Sequence, residues 1–314
     1  MATARGRSRA PDSPTAGLPD GPLDRDGPLA TALDGLTDEG RRPLVTGTAR
    51  SLLLTVLGEF VRPGGGPVWT SALLHVLGGL GIEQQTARQA IARAASAGWL
   101  TGERFGREVR WALTDTVRSA IEELDGRAES MSAVPPVWDG NCLIVFVTIP
   151  NDRRDARKRL YSALGWAGFG NPMPGLWASP HTDRAEEVAS VIRDLGLRDS
   201  TIAFVGTTMS AGLSDAEIVR RAWDLDGVAE RYERVIARFD GLHPEAGDDV
   251  VLSYVALVHE WQQSPYLDPQ LPADLLPEWI GRRATEMFCR LRREWSDAAH
   301  ARWRELDASG PSGS

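Results

Sequence analysis

Residues 82–111 read IEQQTARQAIARAASAGWLTGERFGREVRW, and the fold of the N-terminal third follows from them. Ala87, Ile91, Ala94 and Ala95 recur at helical spacing and can face a core. Gln84, Gln85, Arg88, Gln89 and Arg93 are then left outward or at the edges. Ala97-Gly98 stops the helix. Two strand-like runs follow, 99–104 and 107–113, joined at Phe105-Gly106. A helix followed directly by a β-hairpin is the order of a winged helix-turn-helix module. In such a module the helix enters a DNA groove and the hairpin lies on the phosphate backbone.

The outward residue types suit that task, because Gln pairs bidentately with adenine and Arg with guanine or phosphate. From residue 84 to 110, five arginines (Arg88, Arg93, Arg104, Arg107, Arg110) stand against two glutamates (Glu103, Glu108), a net of +3. The excess is modest. A solvated helix face beside a surface hairpin has the same spacing, and a protein-binding winged helix has the same element order.

Working outward, Thr48 or Thr46 can cap an upstream helix through Leu52, Leu53, Val56, Leu57 and Phe60, ended by the run from Arg62 to Pro67. Thr70 or Ser71 can cap a second helix with Leu73, Leu74, Val76, Leu77 and Leu80, closed by Gly81. A helix from Thr114 through Leu124 follows the hairpin. Residues 46–125 are thus one unit, a three-helix core with a hairpin and a following helix, and 126–137, rich in Ser, Gly and Pro, form a linker. Residues 138–210 carry the pattern β-α-β-(β)-α-β of a ferredoxin-like domain. It starts with the apolar run CLIVFVTIP behind Trp138-Asp139-Gly140, and a basic helix capped by Asn151 or Asp152 comes next. Short strands lie at 166–169 and 175–179, Asp183 caps a second helix, and 201–205 form the last strand. Residues 211–308 read as helical, with Ser214-Asp215 as a cap, a break near Gly227, and a last helix from about 278 to 306. The overall fold class is α+β and multidomain.

The chain has 314 residues, 42% hydrophobic and 25% charged, with a net charge of -8. That is the make-up of a soluble globular protein of two or three domains, and nucleic-acid affinity has to come from a local patch. Residues 1–45, dominated by Pro, Gly, Asp and Arg, are expected to be disordered, as is the tail 309–314. No apolar run reaches membrane-span length, and the basic start lacks the apolar core of a secretory signal, so the cytoplasm is the expected location. Cys142 and Cys289, far apart and without zinc-ligand spacing, read as buried thiols of a reducing compartment. The five histidines are scattered, and neither a nucleophile elbow nor a dinucleotide fingerprint is present, so neither catalysis nor a cofactor is expected. His259-Glu260 reads as a helix-end pair. The stripe Tyr254, Trp261, Tyr266 can be core or the wall of a pocket.

Six segments in order carry a family likeness: ARSLLLTVLGEFVRPGGGPVW (49–69), GIEQQTARQAIARAASAGWL (81–100), WDG (138–140), GLWASP (175–180), AWDL (222–225) and SPYLDPQLPADLLPEWIGRRATEMF (264–288). With them the chain resembles the PaaX-type repressors of phenylacetic acid catabolism over roughly residues 46–300. The resemblance implies a winged-helix N-terminal domain, a central ferredoxin-like domain akin to a small CRISPR-associated nuclease, and a helical C-terminal domain. It further implies a homodimer on palindromic double-stranded operator DNA, released by an aryl-acetyl-coenzyme A thioester. Arg282 and Arg283, with Trp261 and Tyr266, are the candidates for holding that effector. Two departures from the family pattern stand out. The long N-terminal extension is one. The other is Thr148, where the first central strand often ends in an Asp that related nucleases use for metal; a hydroxyl alone anchors Mg²⁺ poorly. A protein-interaction module and a degenerate nucleic-acid enzyme are the alternative readings.

Overall fold

The computed structural model describes residues 47–119, 121–122, 137–150, 152–209 and 211–310. The expectations for residues 1–45, for most of the linker and for the end of the tail lie outside them.

Helix α1 (Ala49–Val56) is capped by Thr48, whose Oγ accepts from the Ser51 amide at 3.2 Å. It runs on through a π turn (Leu57–Val61) and a last α turn (Arg62–Gly64) that ends at Gly65, φ 64°. Strand β1 (Val68–Trp69) leads into α2 (Thr70–Gly79). Neither Thr70 nor Ser71 caps α2, contrary to expectation: the Thr70 hydroxyl donates to Val109 O at 2.9 Å and accepts from Trp111 Nε1 at 2.9 Å. Helix α3 (Gln84–Ser96) and the hairpin β2 (Leu100–Phe105) and β3 (Glu108–Leu113) follow, with β1 completing a sheet of order β1-β3-β2. The hairpin turns at Gly106-Arg107, one residue later than the sequence reading, since Phe105 pairs with Glu108 and Gly106 takes the positive φ of 61°.

The central unit has strands β4 (Cys142–Val147), β5 (Gly170–Met173), β6 (Leu176–Ser179) and β7 (Thr201–Gly206), with α4 (Arg154–Trp166) and α5 (Ala185–Asp194) between them. The order β5-β6-β4-β7, antiparallel throughout, is the ferredoxin-like arrangement. Its own core gathers Leu143, Val145, Val147, Leu160, Leu164, Val188 and Ile192 between the sheet and the two helices. Three sequence expectations are corrected. The second strand is 170–173 rather than 166–169, because α4 persists to Trp166 and ends in a turn at Gly168, φ 76°. Asp152 does not cap α4, whose preceding residue Arg153 instead donates to the carbonyls of Leu195 and Gly196; Asn151 lies outside the described residues. Asp183 sits in a 3-10 turn (Thr182–Arg184) and does not cap α5.

The remainder is helical: α6 (Asp215–Ala222), α7 (Leu225–Phe239), α8 (Asp248–Trp261), the short α9 (Ser264–Leu267) and α10 (Ile280–Ala308). Ser214 and Glu217 form a reciprocal capping box on α6. The break after α6 falls at Trp223-Asp224, ahead of Gly227, because the Asp224 carboxylate accepts from the Gly227 amide and restarts the chain as α7. Helix α8 is buried on nearly every side, as expected for a helix enclosed by others. It lies against α1, α2 and α10, so a single hydrophobic core runs from Leu52, Leu77, Ile91 and Trp99 to Tyr254, Phe288, Trp295 and Trp303. The N-terminal unit and the C-terminal helices are therefore one packed body, and the central sheet has a separate core. Both cysteines are free thiols and half-buried rather than fully buried. No described helix is long and apolar enough to cross a membrane.

Candidate nucleic-acid interface

Helix α3 turns its small residues inward. Ala87, Ala90, Ile91 and Ala94 are buried, which lets the helix lie close on α1 and α2 and leaves the opposite face open to water. Gln84, Gln85, Arg88, Gln89 and Arg93 are all exposed on that open face. Arg93 Nε donates to the Gln89 carbonyl one turn back at 3.3 Å, so its fork lies along the helix. Arg104 and Arg107 are exposed on the hairpin, Arg107 at the tip. The geometry is a polar, cation-bearing helix face beside a protruding hairpin, on a rigid support.

Arg110 departs from this group. Its Nη2 donates to Pro67 O at 2.9 Å and lies 3.8 Å from Asp307 Oδ2, and its guanidinium stacks 4.9 Å from the Trp69 ring centre. Strand pairing decides this: Arg110 is the register partner of Trp69 and so points at the base of the hairpin, toward the end of α10. Its role is to anchor the hairpin.

That anchor was missed in the sequence. The Trp69 amide donates to Asp307 Oδ1 at 2.8 Å, 238 residues away, and Phe105 packs edge-on against Trp69 at 5.6 Å. Deeper in the same body, the buried Glu59 carboxylate on the π turn accepts from Tyr254 Oη at 2.6 Å and from Arg292 Nη2 at 3.2 Å and 3.3 Å. His300 Nε2 lies 3.0 Å from the Glu59 carbonyl. Burial, and then the Glu59 charge, push the Tyr254 hydroxyl up to about 12. Thr55 donates to Gln262 Oε1 at 2.8 Å, with His259 Nδ1 3.0 Å away, so His259 is a core residue. A lone Glu in an apolar helix was the available signal, but its partners come from a distant segment.

The effector candidates do not converge. Trp261 is buried and stacked on Phe288 at 4.4 Å and 9°; it is core, not pocket wall. Arg282 Nη2 is held by the carbonyls of Leu276 and Pro277, and Arg283, at the surface, pairs with Asp240 at 3.2 Å. The side chain of Tyr266 lies outside the described residues. Nearby, the buried Asp268 carboxylate accepts from Tyr232 Oη and Trp279 Nε1, both at 2.8 Å. Thr148, at the end of β4, is exposed, and among the described residues no three His, Cys, Asp or Glu side chains cluster where a metal could sit.

Three family models match the chain in succession: a PaaX-like protein over residues 48–117, the central Cas2-like domain of PaaX proteins over 135–219, and the C-terminal domain of PaaX-like proteins over 223–305. The transcriptional repressor PaaX of Escherichia coli strain K12 is 31% identical over 273 residues, covering 82% of this chain and 83% of the relative. Among solved structures, an uncharacterized protein from Mycobacterium tuberculosis aligns with a TM-score of 0.56 at 23% identity, over 82% of this chain and 98% of the other, a likeness of fold.

Proposed function

The chain belongs to the PaaX-like family, and from that premise we propose that it is a transcriptional repressor whose residues 46–125 act as a winged helix-turn-helix on operator DNA. The observation that carries the reading is the open face of α3, where five Gln and Arg side chains project beside the exposed Arg104 and Arg107 of the hairpin. In a protein of net charge -8, such a local grouping is what allows attraction to a polyanion.

In this reading Gln84, Gln85, Arg88 and Gln89 reach base edges, while Arg93, Arg104 and Arg107 meet phosphates. Two copies would set two α3 helices about 34 Å apart on a palindrome. An aryl-acetyl-coenzyme A-type thioester is the effector class the family likeness suggests. Arg283, at the surface on the first turn of α10, is the best placed of the candidate cations for its phosphates. Since the DNA-reading unit shares one core with the C-terminal helices, a ligand there can act on the reading helix without crossing a hinge. A mobility-shift titration with the upstream region of the protein's own gene tests the reading. It predicts a sequence-specific shift whose affinity falls as salt rises, through counterion release. No specific shift at low salt would refute it.

A further inference from the structure

We propose that Asp307, on the last turn of α10, is a positioning residue for DNA reading: it fixes the angle at which the β2–β3 hairpin meets the duplex. The proposal rests on the reading of residues 46–125 as a DNA-binding unit and names what holds its hairpin in place.

The hairpin needs such a hold. Strand β1 contributes only Val68 and Trp69, so beyond the pairs Val68–Trp111 and Trp69–Arg110 the hairpin is a two-stranded ribbon. Such a ribbon is marginally stable by itself in water. Every residue from Thr101 to Arg107 is exposed, so the outer half cannot be fixed by burial of its own side chains.

Trp69 is the prop. Its ring meets Phe105, the last residue of β2, edge-on at 5.6 Å, and the Arg110 guanidinium lies 4.9 Å from its centre. The prop is in turn gripped from α10. Asp307 Oδ1 accepts from the Trp69 amide at 2.8 Å, and Oδ2 lies 3.8 Å from Arg110 Nη2. A Cβ on Gly310 would run into the Trp69 ring. One turn before Asp307, on the same face of α10, the buried Trp303 stacks on Phe60 at 5.0 Å and 15°. The helix end is therefore seated on the π turn after α1 and does not swing with the hairpin.

The placement of Asp307 runs against local preference. The helix macrodipole makes the C-terminal end negative and disfavours a carboxylate there, and the last turn of α10 has no basic residue to offset it. The position makes sense through its partners in the hairpin sheet, one of them 238 residues away. Helix α10 is unbroken over 29 residues, about 44 Å at 1.5 Å per residue. Arg283 lies near its start and Asp307 near its end, so a tilt of this one helix is delivered at the hairpin.

The test combines fluorescence anisotropy of the full chain on operator and scrambled duplexes, across salt, with hydrogen exchange of the backbone amides. Asp307→Ala should lose roughly 10-fold on both duplexes at low salt. The slope of log affinity against log salt should fall by about one to two, as Arg107 and Arg104 leave the phosphates. A mere loss of folded protein lowers the active fraction and leaves that slope unchanged. Asp307→Asn, which keeps an acceptor for the Trp69 amide, should recover most of the affinity. Asp307→Ala should add little to Arg107→Ala, because both remove the same contact. The hairpin amides of 101–112 should lose protection while those of α3 keep theirs. Wild-type slope and hairpin protection in Asp307→Ala, or full additivity with Arg107→Ala, would overturn the proposal and leave the DNA reading standing. If no form binds DNA but Asp307→Ala still frees the hairpin, the anchor stands and the DNA reading fails.

Discussion

Glu59→Ala should destabilise the N-terminal unit and the C-terminal helices together. The carboxylate is 5% exposed and holds Tyr254 Oη and Arg292 Nη2 across the junction of α1, α8 and α10. Removing one partner of a buried charged pair costs about 3–5 kcal/mol. Arg292 is 37% exposed, so water can resolvate its guanidinium and the figure falls toward the lower end. A buried Tyr254 hydroxyl left without its acceptor adds back about 1–3 kcal/mol. The net expectation is about 4–6 kcal/mol, a large share of an ordinary domain's stability. Glu59→Gln, which keeps one acceptor oxygen for Tyr254 but loses the charge and the second acceptor, should cost about half as much. Urea unfolding followed by tryptophan fluorescence and by circular dichroism measures both variants. Trp99 reports on the N-terminal unit and Trp261 and Trp295 on the helical part. The shared core predicts that all report one transition, shifted together. A loss below ~0.5 kcal/mol for Glu59→Ala, or separate melting of the two parts, would refute the account of a single body.

Three further outcomes follow. Gly102→Ala places a Cβ 2.6 Å from the Trp111 ring, which its bond to Thr70 holds in place; the hairpin should lose about 1–3 kcal/mol, read by thermal unfolding and by weakened DNA binding. Arg107→Ala should weaken binding to operator and unrelated DNA alike and reduce the salt slope by about one; loss confined to the operator would mean the tip reads bases. The Tyr254 hydroxyl, pushed up to about 12 in the fold from the usual ~10, stays protonated after an unfolded tyrosine has ionised, so the unfolded state binds fewer protons. Stability should therefore be complete below pH ~10 and decline between pH ~10 and 12. Tyr254→Phe should show a shallower decline over that window in urea titrations.

Much of the fold was legible because local signals agreed with the final packing. The alternation of Ala and Gln/Arg in α3, the Gly106 turn and the CLIVFV run of β4 each name their element without help from afar. Two of the capping errors share a cause. Thr70 and Asp152 are good capping residues by type, but Thr70 is claimed by hairpin contacts with Val109 and Trp111, and Arg153 reaches the chain end after α5. Distant partners outcompeted local ones. The open face of α3 was readable since it depends only on helical spacing. The fate of Arg110 was not, because it depends on Asp307, and the merging of the first and last units into one core could not be read from segments that are each plausible domains.

The central claim is that the open face of α3 reads sequence, and a binding comparison tests it most directly. Fluorescence anisotropy of the full chain and of Gln85→Ala/Arg88→Ala would be measured on operator DNA and on a scrambled duplex of equal length and salt. At about 1–3 kcal/mol per bidentate contact, the double variant should lose at least ~30-fold on the operator and bind the scrambled duplex nearly as wild type does. Unchanged operator affinity, or an equal loss on both duplexes, would contradict the claim.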